Sequence, residues 1–565
     1  MTAAALGAAL FLVYALGAAR TIYVGDSGEL VAAAALLGIP HPSGYPLYVL
    51  LGKAWTILVP AGSIALRMSL FSAAAAAAAC ALLYVLCRRM SLPVAASLFA
   101  AAILAFGRSF WSEANIQRTY ALNALCLMLA ALLLNRWLAS RAPAHLAAVF
   151  FVCGLGACNH LFMAVAAICA GMVVMIAAAF RPVRIVLPLA AFAVGMLPYL
   201  YLPLRSRFDP PLDWGNPETL SGLAAVMVRR DFWSRAWVEG PADLLAVAAD
   251  YLWSLGAETA WAGAALAVLG CVTLLRRRTA DGAARGMLTF ALLMMAANVV
   301  ILAAHGSRED LFLWHRYYIP SYAMVALLAG AGCHEALRRL PAAARPVMAI
   351  VPLFLLAAGW SATDRSRYRI ADHYSRSLLE ALPPGAHLLA SDDNILFPLI
   401  YLHHVEGVRP DVNLVMQGVG AGPPPLRFDP DIEPLFLTHH PNWTLPQIAI
   451  EPVGLLFQAR RAGSAAPVSL RFPETLAGED DPRVPKDDLT RNLIGQFHYM
   501  RGVTAARDNW DAARREFDMA SRAAPDDDVL FYNLGLIYRG RGLPDDAQAA
   551  FERSRTIDPR GAIQR

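Results

Sequence analysis

Residues Met68–Cys87 read MSLFSAAAAAAACALLYVLC, a run without a charged side chain, closed by Arg88-Arg89. A hydrocarbon core about 30 Å thick needs roughly 20 such residues at 1.5 Å each. No face of this helix is charged, so it is predicted to meet lipid or other apolar helices all round. Runs of the same kind recur outward from it, at about 3–19, 91–107, 119–135, 144–160, 163–180, 184–203, 252–275, 286–304, 317–337 and 346–361. Of the 565 residues, 58% are hydrophobic and 16% charged; a soluble domain carries about a quarter charged. The fold class predicted is therefore a polytopic α-helical membrane protein of about 11 spans. The start, Ala3–Ala19 before Arg20, has the look of a signal peptide. No basic segment precedes it and more spans follow, so it reads as the first span.

The arginines test this count. With the N-terminus inside, Arg88, Arg89, Arg136, Arg141, Arg181, Arg184, Arg276, Arg277, Arg278, Arg285, Arg338, Arg339 and Arg345 all fall in cytoplasmic loops. That is the asymmetry the positive-inside rule requires. The long loops and everything after 361 then face outward, which predicts an inner-membrane protein with a periplasmic C-terminal region. The net charge of +5 is spread over short loops and excludes nucleic acid as a partner.

From about Ser366 the chain becomes charged and proline-rich. Three domains are expected: a transmembrane domain over 1–361, an extracytoplasmic α/β segment over 362–496 and a helical repeat over 497–565. In the α/β segment, Ala386–Ser391 and Val412–Met416 read as strands flanking a helix at Ile395–His404. In the repeat, Ala513, Phe517 and Pro525 recur as Ala547, Phe551 and Pro559, 34 residues later, the period and positions of a tetratricopeptide pair. All eight cysteines precede the soluble segment and none is spaced for metal, so the metal reading is none from cysteine.

The outward loops carry ionisable residues at the membrane edge, among them Asp26, Glu29, His41, Arg108, Glu113, Arg118, Arg205, Arg207, His305, Arg308, Glu309, Asp310, His315 and Arg316. Such groups are costly beside lipid unless they pair or face a cavity. Asp26 and Glu29 stand three apart directly after the first span. One could take a proton from an acceptor hydroxyl. Both also fit a capping box, with Asp26 as N-cap of a helix running to Leu37 and ended by Gly38. A divalent metal is a further use of the same carboxylates. His41-Pro42-Ser43-Gly44-Tyr45-Pro46 forms a stiff turn. Arg205, Arg316 and His315 sit at span ends, where they could bind a phosphate or simply reach the interface. His160, at a span end, reads as a satisfied polar contact.

Asp26-Ser27-Gly28-Glu29-Leu30, Leu37–Tyr48 and Leu51-Gly52-Lys53 together resemble the N-terminal signature of a membrane family. Its eukaryotic members are protein O-mannosyltransferases acting on IPT (immunoglobulin-like) domains of receptors. Trp111–Asn123, Gly154–His160, Tyr201–Ser206 and Asp213–Pro217 resemble later motifs of that family. The sequence departs from it at Arg118-Thr119-Tyr120, where the family pattern calls for an acidic residue. The resemblance covers roughly residues 1–240 and implies a GT-C glycosyltransferase using a polyprenyl-phosphate sugar, with mannose the sugar of those relatives. It implies Asp26 as the base, with Glu29 beside it, and Arg205, Arg316 and His315 on the donor phosphate. His41 and Tyr45 would line the substrate. The partners implied are the lipid-linked sugar, the bilayer, and an acceptor protein or glycan docked by the tetratricopeptide repeats. Two other classes share the many spans: a flippase for lipid-linked glycans, and a scaffold whose working part is the repeat.

Overall fold

The computed structural model describes residues 2–178, 186–232, 238, 240–276, 282–305, 315–416, 433–441, 447–464 and 468–558. Arg181, Arg184, Arg277, Arg278, Arg308, Glu309, Asp310 and Pro559 lie outside the described residues. Helices α1–α9 are Ala3–Gly17, Ser27–Leu36, Pro46–Leu58, Ile64–Arg89, Val94–Phe106, Arg108–Ala114, Tyr120–Ser140, Pro143–Ala157 and Phe162–Ala178. Helices α10–α17 are Val186–Gly195, Tyr201–Ser206, Leu220–Met227, Pro241–Glu258, Ala262–Arg276, Gly282–His305, Ile319–Arg339 and Ile350–Thr363. The chain forms two compact units: Met1–Arg20 with Ala33–Ser366, and Thr21–Ala32 with Arg367–Arg565.

The first unit is built on apolar helices in close contact. The helix opened by Met68–Cys87 extends from Ile64 to Arg89. Ser63 accepts from Leu66 N at its start (3.2 Å), and Arg88 and Arg89 lie in the last turn, where cations suit the helix dipole. Several helix pairs touch backbone to backbone. A methyl carbon on Gly332 would lie 1.8 Å from Leu266 O, and one on Gly270 2.0 Å from Leu328 O, so α14 and α16 meet only because both residues lack one. Gly154 and Gly195 do the same for α8 and α10, with Phe192 O at 2.1 Å and Phe151 O at 2.3 Å. Lipid offers no hydrophobic force between helices, and close approach through small residues replaces it.

Among the described residues, four helices are long and apolar enough to cross a membrane alone: Ile64–Arg89, Tyr120–Ser140, Gly282–Ala304 and Ala342–Thr363. The number rises to seven if three bent pairs each make one span. The expectation of about 11 spans exceeds this. Helices α1, α8 and α9 are apolar but no longer than 17 residues, about 25 Å at 1.5 Å per residue, which is short of a full core. The span expected over 252–275 is also not continuous, because α13 and α14 meet at 102°. The chain turns at Ala260 and Trp261, both left-handed, and Glu258 is the last residue before the break. It is buried, and it accepts from Ser109 N (2.7 Å), Ser109 Oγ (3.0 Å) and Phe110 N (3.3 Å) at the start of α6. A carboxylate within a continuous span would have no such donors.

Beyond Thr21–Ala32, the second unit holds α18 (Ile370–Ala381) and a five-stranded sheet. Strand β1 (His387–Ala390) leads through α19 (Asp393–His404) to β2 (Asn413–Met416), which lies parallel to β1 in a βαβ unit. β3 (Leu435–Leu437) is parallel to β1 on its other side. β4 (Ile448–Val453) and β5 (Leu456–Arg461) are antiparallel, giving the order β2-β1-β3-β5-β4. Four helices follow: α20 (Asp488–Ala505), α21 (Trp510–Ala523), α22 (Asp528–Gly540) and α23 (Pro544–Ile557). They pack as two hairpins, α20 on α21 and α22 on α23. Gly502 lies under the Phe517 ring as Gly535 lies under that of Phe551. Ala513, Phe517, Ala520, Leu530, Leu534 and Ala550 form their shared core. The domain boundary expected at 496/497 falls inside α20.

Candidate active site

The acidic pair opens α2. Leu30 N donates to Asp26 O (2.9 Å), the first bond of the helix, so Asp26 holds the N-cap position and Glu29 the third helical one. Gly25, at φ 70, turns the chain into it. Asp26 is half-buried, whereas Glu29 and Ser27 are fully enclosed. Ser27 Oγ has no hydrogen-bond partner among the described residues. Asp26 and Glu29 both lie in the second unit's portion of the chain.

His41, Tyr45 and Arg205 lie in the first unit, around the far end of α2. The helix stops at Leu36, and Leu37, at φ 55, makes the left-handed turn expected of Gly38. That leaves α2's last carbonyls without intrahelical donors. Cationic side chains supply them: Lys53 Nζ donates to Ala35 O (2.6 Å), Arg205 Nη2 to Leu36 O (3.3 Å) and Arg205 Nε to Leu37 O (2.7 Å). Two nitrogens of Arg205 thus serve this helix end, where a cation also suits the dipole. Tyr201 OH adds a bond to Gly38 O (3.2 Å).

The same turn is stitched to Asp213–Pro217. Ile39 N donates to Leu212 O (2.7 Å), and Trp214 N donates to Ile39 O (3.0 Å). Ser206 Oγ donates to Asp213 Oδ2 (2.8 Å) and lies 2.7 Å from Asn216 Oδ1. Burial raises the Asp213 pKa, while the Ser206 bond lowers it. The stretch 37–48 and the neighbouring stretches 201–206 and 213–217, far from it in sequence, therefore form one structure. At its edge, Tyr45 OH and His41 Nε2 are 2.8 Å apart, and the His41 ring stands edge-on to Trp214 (6.1 Å) and Phe232 (6.4 Å).

His315 and Arg316 belong to two other clusters of the first unit. His315 Nε2 lies 3.1 Å from Asp250 Oδ1, and Tyr318 OH donates to Asp250 Oδ2 at 3.1 Å. Arg316 stands 3.9 Å from Glu113 and 6.0 Å over the Tyr120 ring, which also neighbours His160 (5.9 Å). Sequence reasoning missed Asp250 and gave Glu113 no role. A carboxylate against an apolar stretch is itself a signal for a partner, and Asp250 stands at the foot of the span expected from 252.

Residues 26–183 match the family model described as the N-terminal domain of protein O-mannosyl-transferase TMEM260. Mouse protein O-mannosyl-transferase TMEM260 is 29% identical over 443 residues, 73% of this chain and 62% of the mouse protein. The Dictyostelium discoideum protein of the same name is 22% identical over 458 residues, 72% of this chain and 55% of that one. The match thus spans less than two thirds of either relative. Among solved structures, ArnT from Cupriavidus metallidurans is similar in fold, both in its apo state and bound to undecaprenyl phosphate. In each case the TM-score is 0.52, with 13% identity, 82% of this chain and 99% of ArnT covered. The chain is thus similar in sequence to the protein O-mannosyl-transferases named TMEM260 and similar in fold to ArnT.

Proposed function

We propose that this chain is a membrane glycosyltransferase that moves a sugar from a polyprenyl-phosphate donor to an acceptor hydroxyl on the outer face of the inner membrane, with Asp26 as general base. The observation that carries this reading is the half-buried carboxylate at the N-cap of α2, directly after the first apolar helix. The carboxylate takes the acceptor proton, the oxygen attacks the anomeric carbon, and the polyprenyl phosphate leaves with the charge. Glu29, enclosed in the first turn, orders the start of the helix. Arg316 and His315 are the cations proposed for the leaving phosphate. Arg205 is a third, although binding there competes with its hold on α2. His41 and Tyr45 are proposed to line the substrate. The relatives' names point to mannose and to a protein acceptor, and the α20–α23 hairpins would dock that acceptor as tetratricopeptide repeats.

The test uses the purified full chain in nanodiscs with radiolabelled undecaprenyl-phosphate mannose and a serine/threonine peptide. Label is expected on the peptide. Label that only crosses the bilayer would replace the transferase with a flippase. Arg316→Lys keeps the charge but loses the planar fork, and should raise KM for the donor without loss of folded protein.

A further inference from the structure

One stretch of the second unit is remote from the rest of it in sequence. Thr21–Ala32 leaves the membrane unit after Arg20, joins Arg367–Arg565, and returns at Ala33. Its attachment is specific. Thr21 Oγ1 donates to Tyr368 O (2.9 Å), and the Tyr23 and Tyr368 rings lie 4.3 Å apart. Tyr23 OH donates to Asp487 Oδ2 (2.8 Å). The other oxygen of Asp487 caps α20 by accepting from Thr490 N (2.9 Å). Tyr23, Tyr368 and Thr490 are all buried, Asp487 is half-buried, and the bond to its carboxylate is charge-assisted.

A second anchor lies beyond Asp26. A methyl carbon on Gly28 would sit 2.2 Å from Phe397 O and 2.3 Å from Phe397 C. Here the first turn of α2 meets the backbone of α19, and only a glycine lets the two chains come so close. No side-chain rearrangement could relieve that contact, since both opposing atoms are main chain. Asp26 therefore stands between two points fixed to the C-terminal module, Tyr23 on one side and Gly28 on the other.

A catalytic group must be held within about 0.5 Å of its productive geometry, and a displacement of about 1 Å can cost 10²-fold in rate. We propose that the C-terminal module positions the base: Tyr23, through Asp487, and Gly28, against Phe397, are positioning residues for Asp26. This rests on Asp26 being the base. The soluble module is then a part of the transferase, and the transfer step depends on it even with an acceptor too short to need docking.

The test is a set of full-chain variants assayed with undecaprenyl-phosphate mannose and a short serine peptide. Tyr23→Phe keeps the ring stack and removes the hydroxyl that donates to Asp487 Oδ2 and accepts from Thr490 Oγ1 (3.5 Å). Asp487→Ser removes the first of these bonds while retaining an N-cap residue for α20. Each should lower kcat about tenfold, with KM for donor and peptide and the melting temperature unchanged, and the double variant should lose no more than either alone. Gly28→Ala should lose about 10²-fold. If Gly28→Ala does not fold, the Tyr23–Asp487 pair decides the matter. Wild-type kcat in both single variants, or independent losses that multiply, would overturn the positioning role. An inactive Asp26→Asn beside them would leave the base reading standing. Near-normal turnover in Asp26→Asn would instead remove the base reading, and this inference with it.

Discussion

Each unit joins its own elements in a different way. In the first, Gly270, Gly332, Gly154 and Gly195 let helices touch at their backbones, and the contacts are chain against chain. In the second, beside the backbone approach at Gly28, side chains join the elements. His498 is buried on α20 between Glu479, to which Nε2 is bonded, and Glu516, 2.7 Å from Nδ1, and Arg501 Nε donates to Glu516 at 2.7 Å. Water explains the difference. A soluble core gains from covering aromatic and aliphatic area, and it can hold a charged cluster if every member is paired. Helices facing lipid gain little from covering apolar area and must fit closely instead.

The largest effect should come from filling a lipid-unit contact. Gly332→Ala puts a methyl carbon 1.8 Å from Leu266 O, which α14 cannot move without leaving α16, so a loss above about 3 kcal/mol is expected. Detergent-solubilised protein should elute as aggregate rather than as a single species. Gly502→Ala is the matching change in the second unit. It meets the edge of the Phe517 ring, a side chain that can turn, and should cost about 1–2 kcal/mol by thermal melting. Equal losses in the two units would break the contrast.

Next comes the charge cluster. His498→Ala leaves two carboxylates facing each other without their shared cation, at a cost of about 3–5 kcal/mol. Limited proteolysis should then cut within 470–520 before it cuts elsewhere. The same cluster sets a pH window. Burial alone would lower the His498 pKa, but Glu479 and Glu516 outweigh it and raise the value to about 9. Burial opposes ionisation of the two glutamates as well, yet bonds to His498 hold both below the ordinary range. The histidine's contribution is therefore complete below its unfolded pKa of about 6.5 and is lost as pH rises through about 9. That of the glutamates is complete above about 4.5 and is lost as pH falls through their depressed values. Melting of this unit should be highest between those limits, and His498→Ala should flatten the alkaline side.

The smallest effect concerns the end of α2. Lys53→Met removes one of its cationic caps and should cost less than about 1 kcal/mol, with transfer activity retained.

The sequence made some of this legible and hid the rest for physical reasons. Apolar runs and helix ends announce themselves, as Ser63 and Arg88-Arg89 do around α4. The strands at 387–390 and 413–416 stood out as short apolar stretches beside turn residues. The break at 259–261 was hidden because Glu258 counts only as one charge in an apolar window, and its donors lie 149 residues back at Ser109. A cation at a span end suits a phosphate, and that much of Arg205 is legible in sequence. Its bonds to the Leu36 and Leu37 carbonyls are not, because they depend on Leu37, rather than Gly38, turning left-handed. The attachment of Thr21–Ala32 to Tyr368, Phe397 and Asp487 left no trace in local pattern, since each partner lies hundreds of residues away.

The central claim is that the Asp26 carboxylate takes the acceptor proton. Single-turnover transfer by Asp26→Asn, with the melting temperature measured on the same sample, tests it most directly, because asparagine is also a good N-cap and should leave α2 intact. The account predicts a rate lowered by about 10²–10⁴-fold with unchanged melting. Near-normal transfer by the asparagine variant would contradict it and leave Asp26 only as the cap of α2.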